Sequence, residues 1–218
     1  MEIAPGFIAG TLGLLVLHLT FVELGLGGAK GSVGAVLSRR ASALVLLGVV
    51  PAVAALVGGI GPVGLGLGVG DPWALAVAAG LGIVAVPLVS LGARSKSTQV
   101  HHPEIRLAER SWGLVAVDAL TWVVYLLAYE LLFRGVFLLP LAEEVGPVAA
   151  TAIVLVPYVA VHLDKGPGEA IGSVFSGVLF AALTLWSGAI WAALLLHVFI
   201  AFAGEGAALA FNRDLRVR

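Results

Sequence analysis

Between residues 125 and 140 the chain reads YLLAYELLFRGVFLLP, an apolar run broken by one acid and one base, Glu130 and Arg134. A charge near the centre of a bilayer helix costs about 2.5–3.5 kcal/mol on insertion scales, so such side chains face the interior of a bundle. Four residues apart on one helix, the two share a face and can neutralise one another. Two imidazoles follow in later apolar runs: His162 at the end of VPYVAVH and His197 in WAALLLHVF. At a rise of about 1.5 Å per residue, Glu130 and His197 fall near mid-membrane and His162 nearer one end. An ionised carboxylate beside two imidazoles suits general-base catalysis on water. Taken singly, each residue also reads as part of a structural ion pair or as an interhelical hydrogen-bonder; their shared depth is what points to chemistry.

The elements that must bring these residues together are membrane helices. Of 218 residues, 60% are hydrophobic and 11% charged, and the mean hydropathy is +1.08. A soluble domain carries about a quarter charged residues. Several apolar runs reach the ~18 residues needed to cross a bilayer. The expectation is one all-α, polytopic membrane domain over 1–218. Its seven spans are expected at 4–26, 41–63, 73–93, 114–140, 147–163, 169–187 and 189–211. Residues 1–93 hold peripheral spans. Breakers such as GGAKGS, GPVGLGLGVGDP and DKGPGE separate the spans. The one long polar connection, 94–111, is expected to form a short interfacial helix after Pro103, with His101 and His102 in an interfacial loop. The first residues carry an acid, Glu2, and no basic region, which predicts a retained first span rather than a signal peptide.

Charge orders the connections. Lys30, Arg39, Arg40, Arg94, Lys96, Arg106, Arg110, Lys165, Arg213, Arg216 and Arg218 all fall on one side of the seven-span arrangement, and the twelfth basic residue is Arg134. The excess of basic residues in cytoplasmic loops places that side in the cytoplasm, with the N-terminus outside.

On these residues the chain resembles the CAAX-protease and bacteriocin-processing family, also called the Abi family, of intramembrane proteases. The family pattern is EExxxR, then FxxxH, then HxxxN, on three helices. Here they stand as YELLFR from Tyr129 to Arg134, Tyr158 to His162, and His197 to Ala201. The resemblance covers roughly 112–205. It implies that Glu130 matches the second glutamate, Arg134 the arginine, His162 the water-activating histidine and His197 the oxyanion donor. Tyr129 and Ala201 depart from the pattern, standing for the first glutamate and the asparagine. Glu130 itself, about 100° around the helix from Tyr129, or Glu169 just past the DKGPG turn, is then the expected base. Glu169 also reads as an acid favoured at a helix start by the macrodipole.

Other motifs carry less. GVGD at residues 68–71 spells the GxGD of aspartyl intramembrane proteases, but no partner aspartate in a YD context accompanies it. The absence of HExxH excludes the zincin pattern. No cysteine is present, so disulfides, thiolate nucleophiles and cysteine metal sites are excluded. Ser173, Ser176 and Ser187 lack a GxSG context. His18, Glu23 and Glu205 are expected to face other helices, and Glu143-Glu144 to form an exposed acidic turn. The reading is thus a metal-independent endopeptidase of a membrane-associated or lipidated substrate, with no cofactor, in a prokaryotic cell membrane. Its partners are the bilayer and a peptide or protein substrate, with no nucleic acid. The alternative is a non-catalytic relative that binds a partner in the same cavity.

Overall fold

Capping residues set where the helices begin. The computed structural model describes residues 5–212 and 214–218, without the side chains of Pro5, Ser97 and Asp164. Glu2 and Arg213, which entered the charge reading, lie outside the described residues. Helix α1 spans Pro5–Glu23. Ser32 accepts a bond from Ala35 N at 3.2 Å and starts α2, Val33–Ala43. A wide-turn segment, Leu44–Val49, carries α2 into α3, Val50–Val57. Asp71 caps α4, Pro72–Gly92, by accepting from Trp73 N at 2.9 Å, with Pro72 at the first helical position. The GVGD aspartate is therefore a helix cap.

Short α5, Lys96–Gln99, precedes Pro103 rather than following it as expected. Ser111 caps α6, Trp112–Glu130, and a second wide-turn segment, Leu131–Leu138, leads into α7, Leu139–Val145. Gly146 (φ 83°) turns the chain into α8, Pro147–Ala160. Gly166 (φ 95°) turns it into α9, Pro167–Ser187, and α10 spans Trp191–Phe211. Both glycines take the left-handed conformations that residues with a Cβ avoid. Strand β1, Glu109–Arg110, pairs in parallel with β2, Arg216–Val217, and fastens the tail to the start of α6.

The chain is an all-α, polytopic, integral membrane protein. Among the described residues, six helical rods are long and apolar enough to cross a bilayer: Gly6–Glu23, Val33–Val57, Pro72–Gly92, Trp112–Val145, Pro167–Ser187 and Trp191–Phe211. The expected span 147–163 is realised as α8, whose 14 residues reach only about 21 Å, short of a ~30 Å hydrocarbon core. The chain instead turns at Val161 and His162 and leaves the helix early. The second rod begins at Val33 rather than 41, because Ser32 supplies a cap upstream. Arg39 and Arg40 therefore lie within a helix and not in the first loop. Glu143 and Glu144 are exposed, as expected, in the last turn of α7.

The rod Trp112–Val145 is the centre of the bundle: its apolar stretch is 72% buried, against 17–39% for the other five. Along it Trp122, Tyr125, Tyr129, Phe133 and Phe137 stack in sequence, with ring centroids 5.0–6.4 Å apart. Helices α4 and α10 run parallel. Gly82 lies against Phe199, Val89 against Gly204, and the Arg94 guanidinium 4.8 Å from the Phe211 ring. A Cβ on Gly82 would fall 2.4 Å from the Phe199 ring, so the close approach of these helices depends on that glycine.

Candidate active site

Glu130 closes α6, and Arg134 follows in the wide turn, where Leu139 N bonds the Arg134 carbonyl five residues back. Such widened turns recur at functional sites because they re-aim side chains within an otherwise regular helix. Gly135 makes room for the turn: a Cβ there would sit 2.6 Å from the Leu65 carbonyl oxygen.

The Glu130 side chain has no solvent exposure, and that of Arg134 has 1%. His197 Nδ1 donates to Glu130 Oε1 at 2.6 Å. Arg134 Nε lies 3.4 Å from Glu130 Oε2, close enough for charge pairing. Among the described residues, Oε2 itself has no hydrogen-bond partner. The guanidinium rests over the Tyr158 ring at 4.5 Å and beside Phe180 at 5.5 Å. A cation over an aromatic face is stabilised by the ring quadrupole, the more so when desolvated. Phe180 also packs against the His197 ring at 4.9 Å.

His162 donates from Nδ1 to the Tyr158 carbonyl at 2.8 Å and packs on the Tyr158 ring at 4.9 Å. With the Nδ1 proton committed there, the neutral imidazole keeps its lone pair on Nε2. His162 also interacts electrostatically with Glu130, His197 and Glu169. Helices α6, α8, α9 and α10 thus bring together the four residues singled out in the sequence: Glu130, Arg134 and His197 in contact, and His162 beside them through Tyr158.

The other expected site residue, Glu169, lies in the first turn of α9. It meets His102 Nε2 at 3.0 Å and Lys165 Nζ at 3.9 Å. Tyr129 is stacked between Tyr125 and Phe133 in the aromatic series of α6. Ala201 lies one turn beyond His197 on α10.

A second polar layer escapes the sequence reading. Glu104, 8% exposed, is held by Arg39 and by Arg40 Nη2 at 2.9 Å, and Arg40 Nη1 reaches Asp118 Oδ1 at 2.8 Å. His102, expected in an interfacial loop, is buried and bridges Glu169 and Glu205, with Nδ1 3.1 Å from Glu205 Oε2. Burial alone lowers the His102 pKa, but the bonds to Glu169 and Glu205 outweigh it and lift it to about 9. Burial raises the Glu104 pKa, yet Arg39, Lys165 and Arg40 together pull it down to about 2. The available signal was Glu205, an acid in an apolar run, which does face the bundle interior. His18 does so as well, bonding Ser42 Oγ at 2.9 Å, whereas Glu23 is exposed. Ser173, Ser176 and Ser187 each donate to a carbonyl of their own helix, and Ser187 also to the Ala189 carbonyl at 2.8 Å.

Residues 111–203, which contain Glu130, Arg134, His162 and His197, match the family model described as type II CAAX prenyl endopeptidase Rce1-like. Over this stretch the chain is similar to the CAAX-protease family. No curated protein and no solved structure matches the chain. That family is one of proteases, and the matched stretch contains the buried Glu130–His197 contact. The two departures from its pattern, Tyr129 and Ala201, flank that contact in sequence: Tyr129 directly before Glu130, Ala201 four residues after His197.

Proposed function

We propose that the chain is an intramembrane endopeptidase in which Glu130 is the base that activates water. The observation that carries this is the asymmetry of the Glu130 carboxylate. Oε1 is taken by His197 Nδ1, whereas Oε2 is buried and free of any hydrogen-bond partner among the described residues. Oε2 takes a proton from water as the water oxygen bonds the carbonyl carbon, and returns it to the amine nitrogen as the C–N bond breaks. The His162 Nε2 lone pair accepts a hydrogen bond from the same water and aims it at the carbonyl carbon of a peptide bond. His197 is the donor to the oxyanion, the kind of preorganised donor worth about 10²–10³ in rate. Arg134 holds the carboxylate in place. Glu169, already paired with His102 and Lys165, is the reserve base.

The basic residues clustered at the α9 start, the strand pair and the 94–111 connection support an opening toward the cytoplasm of a prokaryotic cell membrane. The substrate class that fits is a membrane-associated or lipidated peptide. The test is a cleavage screen of membrane-derived peptides in detergent, run beside His162→Ala. Cleavage by the native chain, lost in the variant, supports the reading; equal cleavage by both overturns the role of His162.

Tyr129 and Ala201 support a second reading, a non-catalytic relative that binds a peptide or membrane partner in this cavity. Under it the native chain cleaves nothing, whereas Tyr129→Glu combined with Ala201→Asn gains activity.

A further inference from the structure

Connections between helices ordinarily run over the surface, where water satisfies their polar groups. The stretch 102–105 does not. His102 is 9% exposed, Glu104 8% and Ile105 0%. His102 meets Glu169 of α9 and Glu205 of α10 at 3.0 and 3.1 Å. Two residues on, the Glu104 carboxylate is gripped by Arg39 and Arg40 of α2. The Glu104 backbone N–H donates to both oxygens of Glu205, at 2.9 and 3.1 Å, and Arg106 N bonds the Gly31 carbonyl at 2.8 Å. A cation is thus held by two acids and an anion by two bases, with the backbone pinned between them.

This stretch touches α9 and α10, the second of which also carries His197. Glu205 follows His197 by eight residues on α10, about 12 Å along the helix. Glu169 bonds His102 and interacts with His162 as well. The 102–105 stretch therefore closes the space between α2, α9 and α10 on the side of the site facing the basic end.

We propose that Glu169 and Glu205 on one side, with Arg39 and Arg40 on the other, form a charge-selective peptide cradle at the mouth of the site. The chain fills this cradle with its own His102 and Glu104. The substrate segment that displaces them is polar, with a basic residue followed two positions later by an acidic one. The proposal rests on the peptidase reading for its purpose. Its physics does not: burying charges is tolerable only when they are paired, so the cradle is stable only when a segment of matching charge order fills it.

The absence of cysteine makes the test direct. A single reporter, Ile105→Cys, is placed in the full chain in detergent, and its rate of maleimide labelling is measured. Labelling is expected to be slow and to accelerate at least about tenfold with His102→Ala. A peptide carrying Lys-Ala-Glu is expected to accelerate it, and its reversal, Glu-Ala-Lys, to leave it unchanged. Fast labelling in the His102 background, no response to His102→Ala, or equal response to both peptides overturns the proposal. Should Ile105→Cys fail to fold, hydrogen exchange at the Glu104 amide of the unaltered chain reads the same displacement, with the same peptides. Neither readout needs catalysis. A chain that cleaves nothing can still show the cradle, and a chain that cleaves while its labelling ignores the peptides keeps the peptidase reading and loses this one.

Discussion

Glu130 Oε1 and His197 Nδ1 lie 2.6 Å apart across two helices that meet only through folding, 67 positions apart in the sequence and with no exposure of the Glu130 side chain. A hydrogen bond to a carboxylate is stronger than one between neutral groups, and more so in a place this dry. This one fixes the His197 ring and leaves one Glu130 oxygen, Oε2, for other work.

Arg134 neutralises that buried carboxylate, so Arg134→Ala strands a charge. Breaking one partner out of a buried pair typically costs ~3–5 kcal/mol. Arg134→Ala is expected to lower the melting temperature and folded yield in detergent together with any activity, whereas Glu130→Gln is milder for folding. An unchanged melting temperature in Arg134→Ala would contradict the pairing.

The polar layer above the site predicts a pH dependence. The His102 pKa is raised from its usual 6.5 to about 9, so the stabilisation it gives is complete below about 6.5 and is lost as pH rises through about 9. The groups facing it are Glu169, Glu205 and Lys165. The Glu104 pKa is lowered to about 2, so its contribution is complete above about 4.5 and lost as pH falls through about 2. Protection of the Glu104 amide from hydrogen exchange, corrected for the intrinsic rate, is expected to fall between pH 7 and 10. His102→Gln flattens that fall. A flat profile in the unaltered chain would show that the imidazolium does not hold the segment.

Glu130, Arg134, His162 and His197 were legible in the sequence because a charged or imidazole group in an apolar run has few places to go but a bundle interior. Arg39, Arg40, His102 and Glu104 were not legible as buried groups. A polar residue near the end of a span reads the same whether it flanks the membrane or pairs inside the bundle, and only the meeting of α2, α9 and α10 decides between them. The early start of α2 was visible in part, since Ser32 is a good cap, but two arginines in its second half read as a membrane flank. The shortness of α8 followed from the turn at His162 that ends it, a tertiary choice that hydropathy does not record.

Topology is testable by fusion. Reporters after Arg110 and at Arg218 are expected to read cytoplasmic, and a reporter near Glu143 external, in line with the basic residues at one end of the bundle. Opposite readings at 110 and 218 would break the arrangement that puts the strand pair of Glu109–Arg110 and Arg216–Val217 on one side.

The central claim is that Glu130 is the base. The measurement that tests it most directly is the turnover of one identified peptide substrate by the native chain, Glu130→Gln and Glu169→Gln, each verified to be folded by its melting curve. Loss of a general base costs about 10²–10⁴ in rate. The account predicts a loss of that size in the kcat of Glu130→Gln, whereas Glu169→Gln keeps a kcat near the native value at saturating substrate and changes KM. Native turnover in Glu130→Gln, with Glu169→Gln inactive, would contradict it.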